Sequence, residues 1–238
     1  MNALKIALGI ALLMAFPAWG QKVDQLQGLA QQEFRKLSED LGGALSYRPQ
    51  TPTTPLGVTG FDIGVGVTAA KIKNLDVLER ATSDSASSTV LVSTLRAHKG
   101  LPWGFDVGVA YAKVPDSNVA LIGGELRYAI LQGNVAVPAI GVRGSFTRLS
   151  GVDQLRLNTY GLDVSISKGF AIATPYAGVG VVWVESDPRG VAGLGSETFM
   201  LNKGFAGVGL NFGLVNLNLE ADRTGSVGGY SLKVSLRF

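Results

Sequence analysis

From Gly57 to Phe238 apolar residues alternate with small or polar ones, segment after segment, and this restricts the fold more than any other feature. The last nine residues are the cleanest copy. Tyr230, Leu232, Val234, Leu236 and Phe238 fall on one face, and Ser231, Lys233, Ser235 and Arg237 on the other. A period of two belongs to a β-strand with one greasy and one wet face. The pattern predicts ten strands: Val58–Ile72, Thr89–Ala97, Trp103–Val114, Val119–Ile130, Val137–Leu149, Leu155–Lys168, Pro175–Glu185, Thr198–Phe212, Val215–Arg223 and Tyr230–Phe238. Turn residues such as Pro115-Asp116-Ser117-Asn118, Gln132-Gly133-Asn134 and Gly213 separate them. The expected fold is all-β, an antiparallel up-and-down β-barrel with a short N-terminal amphipathic helix.

The chain ahead of the barrel divides in two. Met1 to Gly20 reads as a signal peptide. Lys5 supplies a positive start, Ile6 to Phe16 a short apolar core, and Ala18 and Gly20 the small residues of a cleavage site. The core is shorter than the roughly 20 residues that span a bilayer, so the mature chain is expected to begin near Gln21. Residues 21–56 are a helix and a connector. Val23, Leu26, Leu29, Ala30, Phe34, Leu37 and Leu41 form a helical stripe, Gly42-Gly43 is the expected stop, and Tyr47 to Pro55 is Pro- and Thr-rich. The stripe needs cover. It rests either at the barrel rim in the periplasm or in the lumen as a plug. Residues 57–238 are the barrel.

Alternation does not say which face points outward. Aromatics gather near strand ends on the apolar face: Trp103, Tyr111, Tyr128, Phe146, Tyr160, Trp183, Phe212, Tyr230 and Phe238. That is the arrangement of an aromatic girdle at the margins of a bilayer. The opposite face mixes glycine with charges of both signs: Asp62, Asp106, Glu125, Arg127, Arg143, Asp163, Glu220, Asp222, Lys233 and Arg237. These are expected to line a lumen, where small residues make room and opposite charges pair. An even strand count returns both ends of the barrel to one side, and the longest connections all follow odd-numbered strands, as in single-chain bacterial barrels.

The terminal strand, ending on Phe238 in a chain that begins with an export signal, resembles the closing strand of Gram-negative outer-membrane β-barrels. The resemblance covers Gly57 to Phe238 as architecture. Gly100-Leu101-Pro102-Trp103-Gly104-Phe105-Asp106 and Ser167-Lys168-Gly169-Phe170 are similar to stretches of poorly characterised proteobacterial outer-membrane proteins, to which no defined activity attaches. The resemblance implies residence in the bacterial outer membrane, with Tyr230, Leu232, Val234, Leu236 and Phe238 acting as the assembly signal. It also implies partners: outer-membrane lipid and lipopolysaccharide, the barrel assembly machinery and periplasmic chaperones.

Little in the chain points to chemistry. With no Cys there is no disulfide framework and no thiolate metal site. A formal charge of +3, scattered along the chain, does not suggest nucleic acid. The single histidine, His98, is expected in a turn beside Lys99 without a catalytic partner, so the chain is not read as an enzyme. Asp76, Glu79 and Asp84 do not have the spacing of a calcium loop. Gly64-x-Gly66 and Gly178-x-Gly180 lie within strands with no helix following, which removes a nucleotide-loop reading. Glu220 and Asp222 alternate on one strand and line the lumen more simply than they form an acid–base pair. No cofactor or metal is expected. Two classes survive: a porin-like, narrow transport channel partly obstructed by the helix, or a non-conducting structural or interaction barrel with an ion-paired lumen. Deletion of Phe238 is expected to impair barrel assembly while leaving export intact. Cell fractionation with a heat-modifiability assay checks this, and insertion at the wild-type rate contradicts it.

Overall fold

A computed structural model describes residues 22–82 and 86–238; the expected signal peptide, Met1 to Gly20, and Asp84 lie outside the described residues. Ten antiparallel strands close into a barrel, each paired with its sequence neighbours and the first with the last. The strands are β1 (Phe61–Lys71), β2 (Thr89–Gly100), β3 (Phe105–Lys113), β4 (Ala120–Leu131), β5 (Ala139–Ser150), β6 (Leu155–Ser167), β7 (Ala173–Pro188), β8 (Glu197–Phe212), β9 (Val215–Thr224) and β10 (Val227–Arg237). This is a closed, all-antiparallel, up-and-down barrel. No helix among the described residues is long and apolar enough to cross a membrane.

Closure follows from the edge groups of β1 and β10, which pair from Asp62↔Arg237 to Lys71↔Gly228. The Phe61 N–H donates to the Phe238 carbonyl at 2.6 Å, the Phe238 N–H donates back at 3.1 Å, and the two rings stack at 5.7 Å. A closed sheet leaves no edge unpaired, which a hydrocarbon surround requires.

The outer surface is apolar. Ile63, Val109, Ile122, Leu126, Leu162, Val164, Val179 and Leu236 are all exposed. So are all nine aromatics read as a girdle: Trp103, Tyr111, Tyr128, Phe146, Tyr160, Trp183, Phe212, Tyr230 and Phe238. A continuous apolar band of this kind would be a liability in water and is at home in lipid.

The barrel has two unlike ends. The β2–β3, β4–β5, β6–β7 and β8–β9 connections, together with Phe61 and Phe238, form the turn mouth. The five remaining connections, including the long 72–88 and 189–196 segments, form the loop mouth. A helical cap covers the loop mouth. It consists of a 3-10 turn (Leu26–Gly28), helix α1 (Gln31–Leu45) and helix α2 (Leu75–Ala81). At the start of α1 the Glu33 carboxylate accepts the Ala30 N–H at 3.0 Å. That bond, and then Arg80 beside it, holds the Glu33 carboxyl below its ordinary range.

Leu26, Phe34, Leu37, Leu41 and Leu45 of the cap pack on Val77 and Leu78 of α2 and on Leu155, Leu157, Val182, Val184 and Val227 of the strands. Each such side chain contributes about 1.5–3 kcal/mol by leaving water. Leu155 and Leu157 share the parity of Asp163, so they point inward, and there the inner wall becomes apolar to receive the cap.

Several local expectations are corrected. The helix does not run from Val23 to Leu41. It starts at Gln31 and continues through Gly42-Gly43 to Leu45. Those glycines are contact points rather than a stop: a Cβ on Gly42 would lie 2.8 Å from Val184 Cγ2, and one on Gly43 2.8 Å from the Thr224 carbonyl oxygen. The polar 74–88 stretch, read as loop, contains α2, whose Val77, Leu78 and Ala81 are buried under the cap. Strand β2 runs on to Gly100, which moves His98 out of a turn and into the wall. Trp103 falls in a short 3-10 turn (Pro102–Gly104) ahead of β3 rather than in the strand itself.

Val109 is outward in mid-β3, and its neighbour Ala110 faces the lumen. Val109→Arg is expected to destabilise the barrel by about 2–4 kcal/mol, and Ala110→Ser by far less. Denaturant titration in lipid vesicles reads the difference, and equal tolerance would mean that the faces are reversed.

Candidate functional site

The lumen is the only large polar interior among the described residues, and its middle layer is made of charges. Alternation turns every second residue of each strand inward. Asp62, Asp106, Glu125, Arg127, Arg143, Asp163, Glu220, Asp222 and Lys233 are all buried there. Arg237 sits at the turn-mouth end, its side chain 25% exposed.

These groups form a belt around the wall. Asp62 accepts from Lys233 Nζ at 2.9 Å, Ser235 Oγ at 3.2 Å and Arg237 Nη2 at 2.7 Å. His98 lies between Asp62, 3.9 Å from its Nδ1, and Glu125, 3.0 Å from its Nε2. Glu125 in turn is 3.4 Å from Arg127 Nε and 3.2 Å from Arg143 Nε. These contacts to Glu125 are close charge contacts rather than aligned hydrogen bonds. Arg127 also donates to Asp106 at 2.9 Å. Arg143 reaches Asp163 at 3.8 Å, and Lys203 donates to the same carboxylate at 3.0 Å. Seven of the ten strands, β1 to β6 and β10, carry this chain of contacts directly, and Lys203 extends it to β8.

Three basic residues of the inner wall lie outside the expectation from sequence: His98, Arg96 and Lys203. Lys203 was legible. It has the parity opposite to Ala206, Val208 and Leu210 on β8, which places it inward. Arg96 and His98 lie on β2, where alternation is least regular, and carried no such signal.

The N-terminal connector fills the space inside the belt. From the end of α1 the chain runs down the lumen from Ser46 to Leu56 and enters β1 at the turn mouth. Contacts with the wall follow one another in sequence. Arg48 Nε donates to Asp222 at 2.9 Å, and Arg96 donates to the Arg48 carbonyl at 2.6 Å. Lys203 donates to the Tyr47 carbonyl at 2.7 Å. The Gln50 N–H donates to Glu220 at 2.7 Å, and Tyr176 donates to the same oxygen at 2.9 Å. Arg127 donates to Thr51 Oγ1 at 2.7 Å and to the Pro52 carbonyl at 3.2 Å. Thr53 donates to Ser165 at 2.9 Å, and the Leu56 N–H to Asp106 at 3.0 Å. Glu220 and Asp222 on β9 therefore take their partners from the connector or from Tyr176 rather than from the wall cations.

Little space is left. Beside Tyr47 and Arg96 a gap of about 30 Å³ has room for no more than a few waters. The side chains of Lys203 and Lys233 are both 0% exposed. At the turn mouth a vestibule of about 460 Å³ opens below Thr54, edged by Asn134, Ser167, Asn211 and Arg237. Among the described residues no group of three or more His, Asp or Glu side chains is arranged to hold a metal ion.

No family profile matches the sequence, and no curated protein matches it. Solved structures do. Neisserial surface protein A is 13% identical, over 75% of this chain and 97% of its own, with a TM-score of 0.34. The KdgM porin, solved with disordered oligogalacturonate, is 9% identical over 74% and 99%, with a TM-score of 0.41. The outer membrane protein Omp33 of Acinetobacter baumannii is 7% identical over 78% and 100%, with a TM-score of 0.35. These are likenesses at low identity and low TM-score, and the barrel described above rests on its own strand pairing.

Proposed function

We propose that the protein is an outer-membrane barrel whose lumen is kept closed by its own N-terminal connector, a structural barrel rather than an open pore. One observation carries this reading: the wall is shaped to the connector, residue by residue. A Cβ added to Gly66 would stand 3.0 Å from Gln50 Oε1, and one on Gly123 3.2 Å from Tyr47 Cδ2. On Gly141 it would stand 3.0 Å from Thr53 Cγ2, on Gly209 2.9 Å from Pro52 Cγ, and on Gly229 3.2 Å from Arg48 Nε. These five glycines come from β1, β4, β5, β8 and β10. Glycine weakens a strand; here it leaves room for connector side chains, alongside wall atoms such as the Tyr128 carbonyl, 2.8 Å from a Cβ on Gly141, and Asp222 Oδ1, 2.5 Å from one on Gly229.

The charges support the same reading. An ion taken from water without a partner costs several kcal/mol, and the belt supplies partners throughout. Withdrawing the connector would strip Asp222 of Arg48 and Glu220 of the Gln50 N–H. The channel reading belongs to the barrel with its connector withdrawn, where a bore lined by glycine and by charges of both signs would fill with water.

Planar-bilayer recordings test the proposal. The full-length barrel is expected to be silent, and a barrel lacking residues 21–56 to pass ions. Steady conductance from the full-length protein would overturn it. Arg143→Ala removes a guanidinium that is 2% exposed and set between Glu125 and Asp163. It is expected to cost about 3–5 kcal/mol in denaturant titrations, as for one partner lost from a buried pair, and to leave the barrel silent. A selectivity change with unaltered stability would instead favour a water-filled pore.

A further inference from the structure

The connector enters the lumen at one mouth and leaves at the other. We propose that the barrel carries its own N-terminal segment across the membrane and presents it at the outer surface. The inference rests on the same threaded connector as the closed-barrel reading, and it adds a location for the segment that precedes α1.

The geometry is one of sidedness. Strand β1 begins at the turn mouth, where Phe61 meets Phe238. Ten residues earlier along the lumen the chain is still inside the barrel, with Thr51 on Arg127 and Arg48 on Asp222. Before that it lies on the loop mouth, where it touches every connection. Val23 N–H donates to Asn118 in the β3–β4 connection at 3.2 Å, and Leu26 N–H to Gln154 in the β5–β6 connection at 3.1 Å. Gln31 donates to the Gly195 carbonyl in the β7–β8 connection at 3.2 Å. Asp40 accepts from Asn74 in the β1–β2 connection at 2.7 Å and from Ser226 in the β9–β10 turn at 3.2 Å. A segment held at five points around this rim is not a tail that strayed there. It sits on the far side of the membrane from Phe238, with the extended connector as an eleventh crossing.

The outward side follows from the connections. Barrels of this class turn short connections toward the periplasm and longer ones outward. The two longest connections, 72–88 and 189–196, are both at the loop mouth. The cap and the residues that lead into it therefore face the medium. The contacts of the lumen segment mark such a passage: they run from Asp222, near the loop end of β9, to Asp106, at the turn-mouth start of β3, with a left-handed residue, Gln50 at φ 49°, bending the path between them.

The chain has no native cysteine, so single introduced thiols report position cleanly. Gln27 is exposed in the 3-10 turn of the cap, and Val135 is 97% exposed at the turn mouth. Gln27→Cys and Val135→Cys, each in the full chain, would be expressed in Gram-negative cells. Each would be treated with a membrane-impermeant maleimide before and after permeabilising the outer membrane, with heat-modifiability used to select folded protein. The expected result is full labelling of Gln27→Cys in intact cells and labelling of Val135→Cys only after permeabilisation. Labelling of Gln27→Cys only after permeabilisation overturns the proposal, whichever way Val135→Cys behaves. A third variant, Asp116→Cys in the β3–β4 connection, separates the causes. If Asp116→Cys labels in intact cells and Gln27→Cys does not, the barrel is oriented as described and the threading fails. If neither labels, the outward assignment of the loop mouth fails. Bilayer silence with an unlabelled Gln27→Cys would overturn the display and leave the closed barrel standing.

Discussion

The structure depends on the pairing of buried charge. A ten-stranded wall with one face in lipid must turn its polar residues inward, and this wall turns in carboxylates and cations where little water reaches them. Each would be costly alone. The contacts that run from Arg237 and Lys233 through Asp62, His98, Glu125, Arg143 and Asp163 to Lys203 offset part of that cost, and they join adjacent and next-but-one strands around the wall. The belt is therefore structural before it is anything else. Its groups are engaged with one another, which leaves few of them free to meet a passing solute.

The connector and the cap complete what the wall cannot. Asp222 and Glu220 on β9 have no wall cation within bonding distance among the described residues and are satisfied by Arg48 and by the Gln50 N–H and Tyr176. At the loop mouth the inner wall changes character, with Leu155, Leu157, Val182 and Val184 facing inward, and these bury the apolar stripe of α1. One chain segment thus meets two kinds of surface in order: greasy helix on greasy rim, then polar extended chain on charged bore. The match between each stretch and its surroundings is the consistency expected of a sequence that specifies one state.

The barrel itself was legible because a period of two is read residue by residue and repeats ten times. The inward charges follow from parity, and the meeting of the first and last strands, which sets Lys233 on Asp62, follows from the closure of a barrel. The course of the connector was not legible to that degree. Pro and Thr mark an extended chain without saying where it lies, and helical periodicity does not tell a rim from a plug. Gly42-Gly43 misled for a physical reason, since glycine serves both as a helix stop and as a point of close packing. His98 misled because β2 alternates poorly. The lumen glycines were visible as a pattern, but the residues they accommodate lie far away in sequence, and only the folded chain brings Gly209 to Pro52 or Gly123 to Tyr47.

The seam between β1 and β10 joins the two ends of the barrel, and Asp62 holds Lys233, Ser235 and Arg237 across it. These partners lie 171 to 175 residues apart, at the two ends of the barrel, and bringing such ends together carries a large entropic cost in folding. Contacts that form after that step do little for the rate of folding and instead raise the barrier to unfolding. The Asp62 cluster thus sits where opening the barrel must begin if its two ends part: a latch on the seam that closes the sheet.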